Sequence, residues 1–79
     1  MFDLPGMDIK LKVGQRIREL RKKLELSQEG LAYEAEVDRT YITDIENGRR
    51  NVSMEVLERI TKALGVSFAE FFNSKDFRK

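Results

Sequence analysis

The run LSQEGLAYEAEVDRTYITDIENGRRN, from Leu26 to Asn51, leaves this chain few ways to fold. Ser27, followed by Gln28 and Glu29, reads as an N-cap and the first turn of a helix. Leu31, Ala32 and Ala35 form its inner face. Val37 is an apolar plug and Asp38 a second N-cap. In the helix that follows, Ile42 and Ile45 point inward and Tyr41 inward or edge-on. Thr40, Thr43, Asp44 and Asn47 fall at i, i+3, i+4 and i+7, so they share one polar face. Gly48 is the favoured residue just beyond a helix end. The spacing predicts two short helices joined by a tight turn, with the small Ala32 where they cross.

The flanks continue the helical pattern. Val13, Ile17, Leu20 and Leu24 make one apolar stripe on a first helix over about Lys10 to Leu24. Ser53 caps a fourth helix whose apolar side is Met54, Val56, Leu57, Ile60, Ala63 and Leu64. Gly65 ends it, with Val66 as the hydrophobic partner of a Schellman motif. Ser67 to Glu70 is a capping box opening a fifth helix. The expectation is an all-α fold, a five-helix bundle, with an N-terminal arm over 1–9, a domain over 10–73 and a fraying tail over 74–79. Phe2, Leu4 and Met7 of the arm are candidates to pack on the domain. Gly30 is an anomaly: it costs ~1 kcal/mol inside a helix relative to Ala, and Glu there would complete a capping box with Ser27.

Seventy-nine residues make one small domain with a limited core, so stability must come from close helix packing or from oligomerisation. The chain has no Cys and no His, which excludes disulfides and the usual zinc or haem ligands; no metal or cofactor is expected. Without a glycine-rich phosphate loop or an activated acid pair, an enzyme is not expected either. No apolar run is long enough to span a bilayer, the start MFDLPGMD is no signal peptide, and no small-molecule ligand is evident, so a cytoplasmic protein is expected. The formal net charge is only +1, but it is segregated. Residues 9–25 carry seven cations against two acids, a net of +5; residues 26–48 carry Arg39 against six acids, a net of −5; residues 49–62 return to +2.

Two close-packed helices, a turn tolerant of left-handed backbone at Glu36 and a second helix apolar on one side only are what a DNA-reading unit needs. The second helix enters the major groove while the first crosses the backbone. Gln28, Ala32, Val37, Ile42, Ile45, Glu46 and Gly48 match the helix-turn-helix of lambdoid phage repressors and Cro proteins, the XRE family, and the chain resembles that family over about residues 10–73. The segment DRTYITDIENGRRN is most similar to controller proteins of restriction–modification systems. The resemblance implies the lambda-repressor-like bundle, a transcriptional regulator acting as a homodimer on a palindromic double-stranded DNA operator, and a recognition helix over 39–47. The chain departs from the family pattern at Glu36, where Gly is common, and at Gly30, where Glu is common.

Within this frame Arg39 is the leading base contact, through guanine O6 and N7, or else a phosphate contact or a solvated Arg paired with an acid. Thr40 faces a thymine methyl or a phosphate. Tyr41 is either a reader or a core-edge residue with a wet hydroxyl. Thr43 and Asp44 are the next turn of that face; Asp44 accepts from cytosine N4 or, the preferred reading, orients Arg39. Gln28 is expected at a phosphate. Asn47, Arg49, Arg50, Asn51 and Ser53 form a loop that grips the backbone, or an ordinary solvated connection. The resemblance implies a structural ion pair between Arg21 and Glu46. Phe68, Phe71 and Phe72 crowd one short helix and, with Leu64 and Val66, are the expected dimer interface. The competing function is an antitoxin or protein-interaction module on the same fold.

Overall fold

A computed structural model describes residues 8–78 of the chain. The arm residues Phe2, Leu4 and Met7 lie outside the described residues. The helices are α1 (Ile9–Lys23), α2 (Gln28–Ala35), α3 (Arg39–Glu46), α4 (Met54–Leu64) and α5 (Phe68–Phe71), followed by a single 3-10 turn at Lys75–Phe77, and there is no strand among the described residues. Helix α1 packs on α3, α2 on both α3 and α4, and α4 on α5.

Caps set most of these boundaries. The Asp8 carboxylate accepts from the Leu11 N–H at 3.0 Å, so α1 starts at Ile9. Ser27, Ser53 and Ser67 accept from the N–H groups of Gly30, Val56 and Glu70, and the Glu70 carboxylate in turn accepts from the Ser67 N–H at 2.9 Å. Each such bond satisfies a helix-end donor that would otherwise be orphaned, worth about 1 kcal/mol. Asp38 has the extended backbone of an N-cap but its side chain makes no capping bond, a departure from the sequence expectation. Helix α2 ends on Glu36 in the left-handed region (φ 60°, ψ 47°), with the Val37 N–H closing on the Ala32 carbonyl at 3.0 Å. Gly48 adopts φ 73°, and a Cβ there would lie 2.6 Å from Leu11 Cδ2, so both backbone and space demand glycine. Gly30 has a simpler reason: a Cβ would press to 2.9 Å on Leu26 Cδ1, and Leu26 packs on the core.

The core is a single cluster centred on Ile17, Leu31, Ile42, Ile45, Ile60 and Phe71, all essentially without solvent contact. Two apolar assignments fail. Leu24 follows the last turn of α1 and is exposed, and Met54 stands exposed in the first turn of α4. The tail does not fray as expected. Phe77 folds back, its ring 4.9 Å from that of Phe72 and 6.3 Å from that of Phe71. Arg16 secures the same end: its Nε and Nη2 donate to the carbonyls of Phe71 and Glu70, both at 2.7 Å.

Candidate nucleic-acid interface

The site begins with what holds α3 still. Glu46, in the last turn of α3, is 2% exposed. Its carboxylate accepts from Arg21 Nε at 2.7 Å and Arg21 Nη2 at 2.9 Å, a two-pronged pair, and also from Gln28 Nε2 at 3.0 Å and Arg18 Nε at 3.4 Å. Arg21 donates its remaining nitrogen to the Leu26 carbonyl at 2.9 Å, in the turn between α1 and α2. Burial alone would push the Glu46 carboxyl up; the bonds from Arg21 and Gln28, the Arg21 charge and the bond from Arg18 outweigh it and hold the group below the usual carboxylate range. The Arg21 guanidinium is held above its ordinary value, chiefly by the bond to Glu46 and against the cost of its own burial. Three helices therefore meet on one ionised carboxylate.

Gln28 extends this network to the polar face of α3. Its amide oxygen accepts from the Thr43 hydroxyl at 3.1 Å, while that hydroxyl also lies 3.1 Å from the Arg39 carbonyl. A hydroxyl has one proton, so both acceptors compete for it, and Thr43 meets any ligand through its methyl group or a lone pair. Gln28 has one amide proton on Glu46, which leaves its second amide proton for another acceptor.

Arg39 and Thr40 stand exposed in the first turn of α3. Tyr41 is half-buried, and the Arg50 guanidinium carbon sits 4.6 Å from its ring centroid. Asp44 does not orient Arg39 as expected. Its oxygens pair with the loop beyond α3, Oδ1 with Arg49 Nη1 at 3.8 Å and Oδ2 with Arg50 Nη2 at 3.6 Å. Asn47 caps the end of α3, and its Oδ1 accepts from Arg18 Nη2 at 3.5 Å. Asn51 is exposed. Ser53 spends an oxygen lone pair on its cap and keeps its O–H to donate. Arg39, Thr40 and Thr43 are thus placed on one edge, with Arg49 and Arg50 beside them and Gln28 behind.

The helix-turn-helix family model matches residues 17–71. The chain belongs to this family. Within this helix-turn-helix group it is 48% identical over 67 residues to control protein C.MunI of a Mycoplasma species, spanning 84% of this chain and 90% of that one. It is 53% identical over 60 residues to control protein C.BamHI of Bacillus amyloliquefaciens, spanning 75% and 74%. The crystal structure of the restriction–modification controller protein C.Esp1396I superposes with a TM-score of 0.85 at 38% identity, covering 94% of this chain and 97% of that one. That protein has also been solved as a tetramer in complex with its natural 35-base-pair operator.

Two parts of this helix-turn-helix site were not anticipated from the sequence. Arg18 joins the Glu46 network; its only sequence signal is its place three residues before Arg21, on the same side of α1. The Arg50 stack on Tyr41 crosses from loop to helix, and neither residue's local pattern announces it. The dimer expectation needs correcting at two positions. Leu64 and Phe71 are 4% and 0% exposed because the protomer's own core takes them up, so neither offers surface to a partner. Val66, Phe68 and Phe72 are half-buried, with Phe72 edge-on to both Phe68 and Phe71, and keep apolar surface outward. No helix among the described residues is long and apolar enough to cross a membrane, and none of them form a metal-binding group.

Proposed function

We propose that this chain is a sequence-specific DNA-binding transcriptional regulator of the restriction–modification controller type, binding a palindromic operator as a homodimer through α3. It acts by binding and not by catalysis, in the cytoplasm where the DNA is. The observation that carries the reading is the exposed Arg39–Thr40 edge, held on a helix whose far end is pinned at Glu46 and flanked by the Arg49–Arg50 loop. Base reading needs a rigid edge with free donors, and phosphate gripping needs cations beside it. Variants of C.Esp1396I with an Arg, a Thr and a Tyr at successive positions replaced one at a time have been solved, the same triplet order that stands here at Arg39, Thr40 and Tyr41. The surface left by Val66, Phe68 and Phe72 fits a second copy, whose symmetry would set two α3 helices about one DNA turn apart.

Selection of bound duplexes from a random library identifies the operator, and titration of Arg39→Ala against it tests the reading. A two-pronged guanine contact is worth ~1–3 kcal/mol and the homodimer loses one in each half-site, so operator affinity should fall roughly 30-fold or more, with selectivity relaxed at one base of each half-site. Unchanged base preference in the variant removes Arg39 from the reading set.

A further inference from the structure

Asp44 lies on the DNA-facing side of α3, yet its carboxylate is turned to the protein's own cations. One oxygen faces Arg49 and the other Arg50, at 3.8 and 3.6 Å, and the Arg49 N–H also closes on the Asp44 carbonyl at 2.9 Å. The Asp44 side chain is 25% exposed, against 68% for Arg49 and 49% for Arg50, so the acid sits beneath two cations that reach outward. Arg50 is further seated on the Tyr41 ring.

We propose that Asp44 is a specificity-determining residue, whose carboxylate restrains the Arg49 and Arg50 guanidinium groups and so weakens binding to DNA in general more than binding to the operator. The inference rests on the DNA-binding function proposed above. On an arbitrary duplex, affinity comes almost wholly from cations on phosphates. Arg49 and Arg50 reach those phosphates only by leaving Asp44, and the carboxylate is then left beside a polyanion with no compensating donor. On the operator, α3 is seated in the major groove, where an exocyclic amine such as cytosine N4 can replace the departed arginines. The same acid is therefore a handicap on the wrong sequence and nearly neutral on the right one, a selectivity built from a repulsive element. The distances favour this role. At 3.6–3.8 Å the pairs are contacts of charge without tight hydrogen bonds, which arginines can exchange for phosphate oxygens.

The test is Asp44→Asn, an isosteric change, titrated against the selected operator and a random duplex of equal length. Two exposed ion pairs are lost, so random-duplex affinity should rise about tenfold and operator affinity less than about threefold. In an Arg49→Ala/Arg50→Ala background, Asp44→Asn should raise random-duplex affinity by less than about threefold, because no cation remains to release and only the acid's own repulsion of phosphate is removed. Glu58→Gln on the exposed side of α4 is the charge-matched control and should leave the operator-to-random ratio unchanged. An equal rise on both duplexes, or a rise undiminished without the two arginines, overturns the proposal in favour of a net-charge effect. An unchanged random-duplex affinity overturns it outright. A wild-type protein that selects no sequence from the library instead defeats the DNA-reading function, and the two failures are separable.

Discussion

Replacing Glu46 by Ala is expected to cost ~3–5 kcal/mol of folding stability, read as a lower urea midpoint. The Arg21 guanidinium would stay buried with its two bonds to Glu46 gone, and Arg18 and Gln28 would each lose a partner in the same step. For a domain this small that is most of the available stability. The penalty belongs to the stranded charge more than to the pair, so the double variant Arg21→Met/Glu46→Leu should recover a large part of it. A double variant as unstable as Glu46→Ala alone would show that the loss comes from packing. The pH dependence has a definite sign. The folded carboxyl sits below its unfolded value, so its stabilisation is complete above about pH 4.3, the unfolded range for Glu, and is lost as pH falls through the lower folded value. Stability of the wild type should therefore decline on acidification below about pH 4.3, and the part of that decline due to Glu46 should be absent in Arg21→Met/Glu46→Leu.

The helix caps were legible because a cap is a local object: Ser27, Ser53 and Ser67 each bond an N–H three residues on, and sequence spacing contains that distance directly. The fold followed from the apolar stripes for the same reason. What the stripes could not say is which side of an apolar helix end meets the protomer and which meets a partner. Leu64 and Phe71 differ from Val66 and Phe72 by one or two positions; the buried side of α4 takes in Leu64, and the docking of α5, with Arg16 on its carbonyls, takes in Phe71. The tail holding Phe77 was misjudged because the rings of Phe71 and Phe72 had to be in place before it had anything to pack on.

The site divides along the same line. The exposure of Arg39 and Thr40 was readable from their place in the first turn of a helix whose other side is apolar. The Gln28 amide, by contrast, bonds to a carboxylate 18 residues away and a hydroxyl 15 away. Such a link depends on how two helices cross, and a residue pattern on either helix is silent about it. Asp44 is the sharpest case: an acid expected near phosphates suggested a cationic partner in Arg39 of its own helix, but the turn at Gly48 brings Arg49 and Arg50 back over it.

The crossing itself rests on Gly14, which the sequence pattern hid in the middle of α1. A Cβ built there overlaps the Ile45 carbonyl oxygen and falls 2.9 Å from that of Glu46. These are backbone atoms at the end of the recognition helix, so no rotamer change relieves the clash; α1 and α3 must separate. Helix propensity works the other way, since Ala is favoured over Gly inside a helix by about 1 kcal/mol. Steric overlap with rigid backbone outweighs that gain, and overpacking of ~3 kcal/mol or more is expected for Gly14→Ala, against a total near 5 kcal/mol for a domain of this size. Thermal melts followed by circular dichroism should show a midpoint lowered by roughly 12–24 °C. Any molecules that remain folded hold α1 and α3 further apart, stretching Arg21 and Arg18 away from Glu46 and tilting the Arg39 edge. Operator affinity per folded molecule should then fall even where random-duplex affinity, which the proposed function assigns to Arg49, Arg50 and the cations of α1, is kept. A Gly14→Ala protein as stable as wild type would mean that the two helices have slack at their crossing, and the rigid placement of α3 by α1 would have to be abandoned.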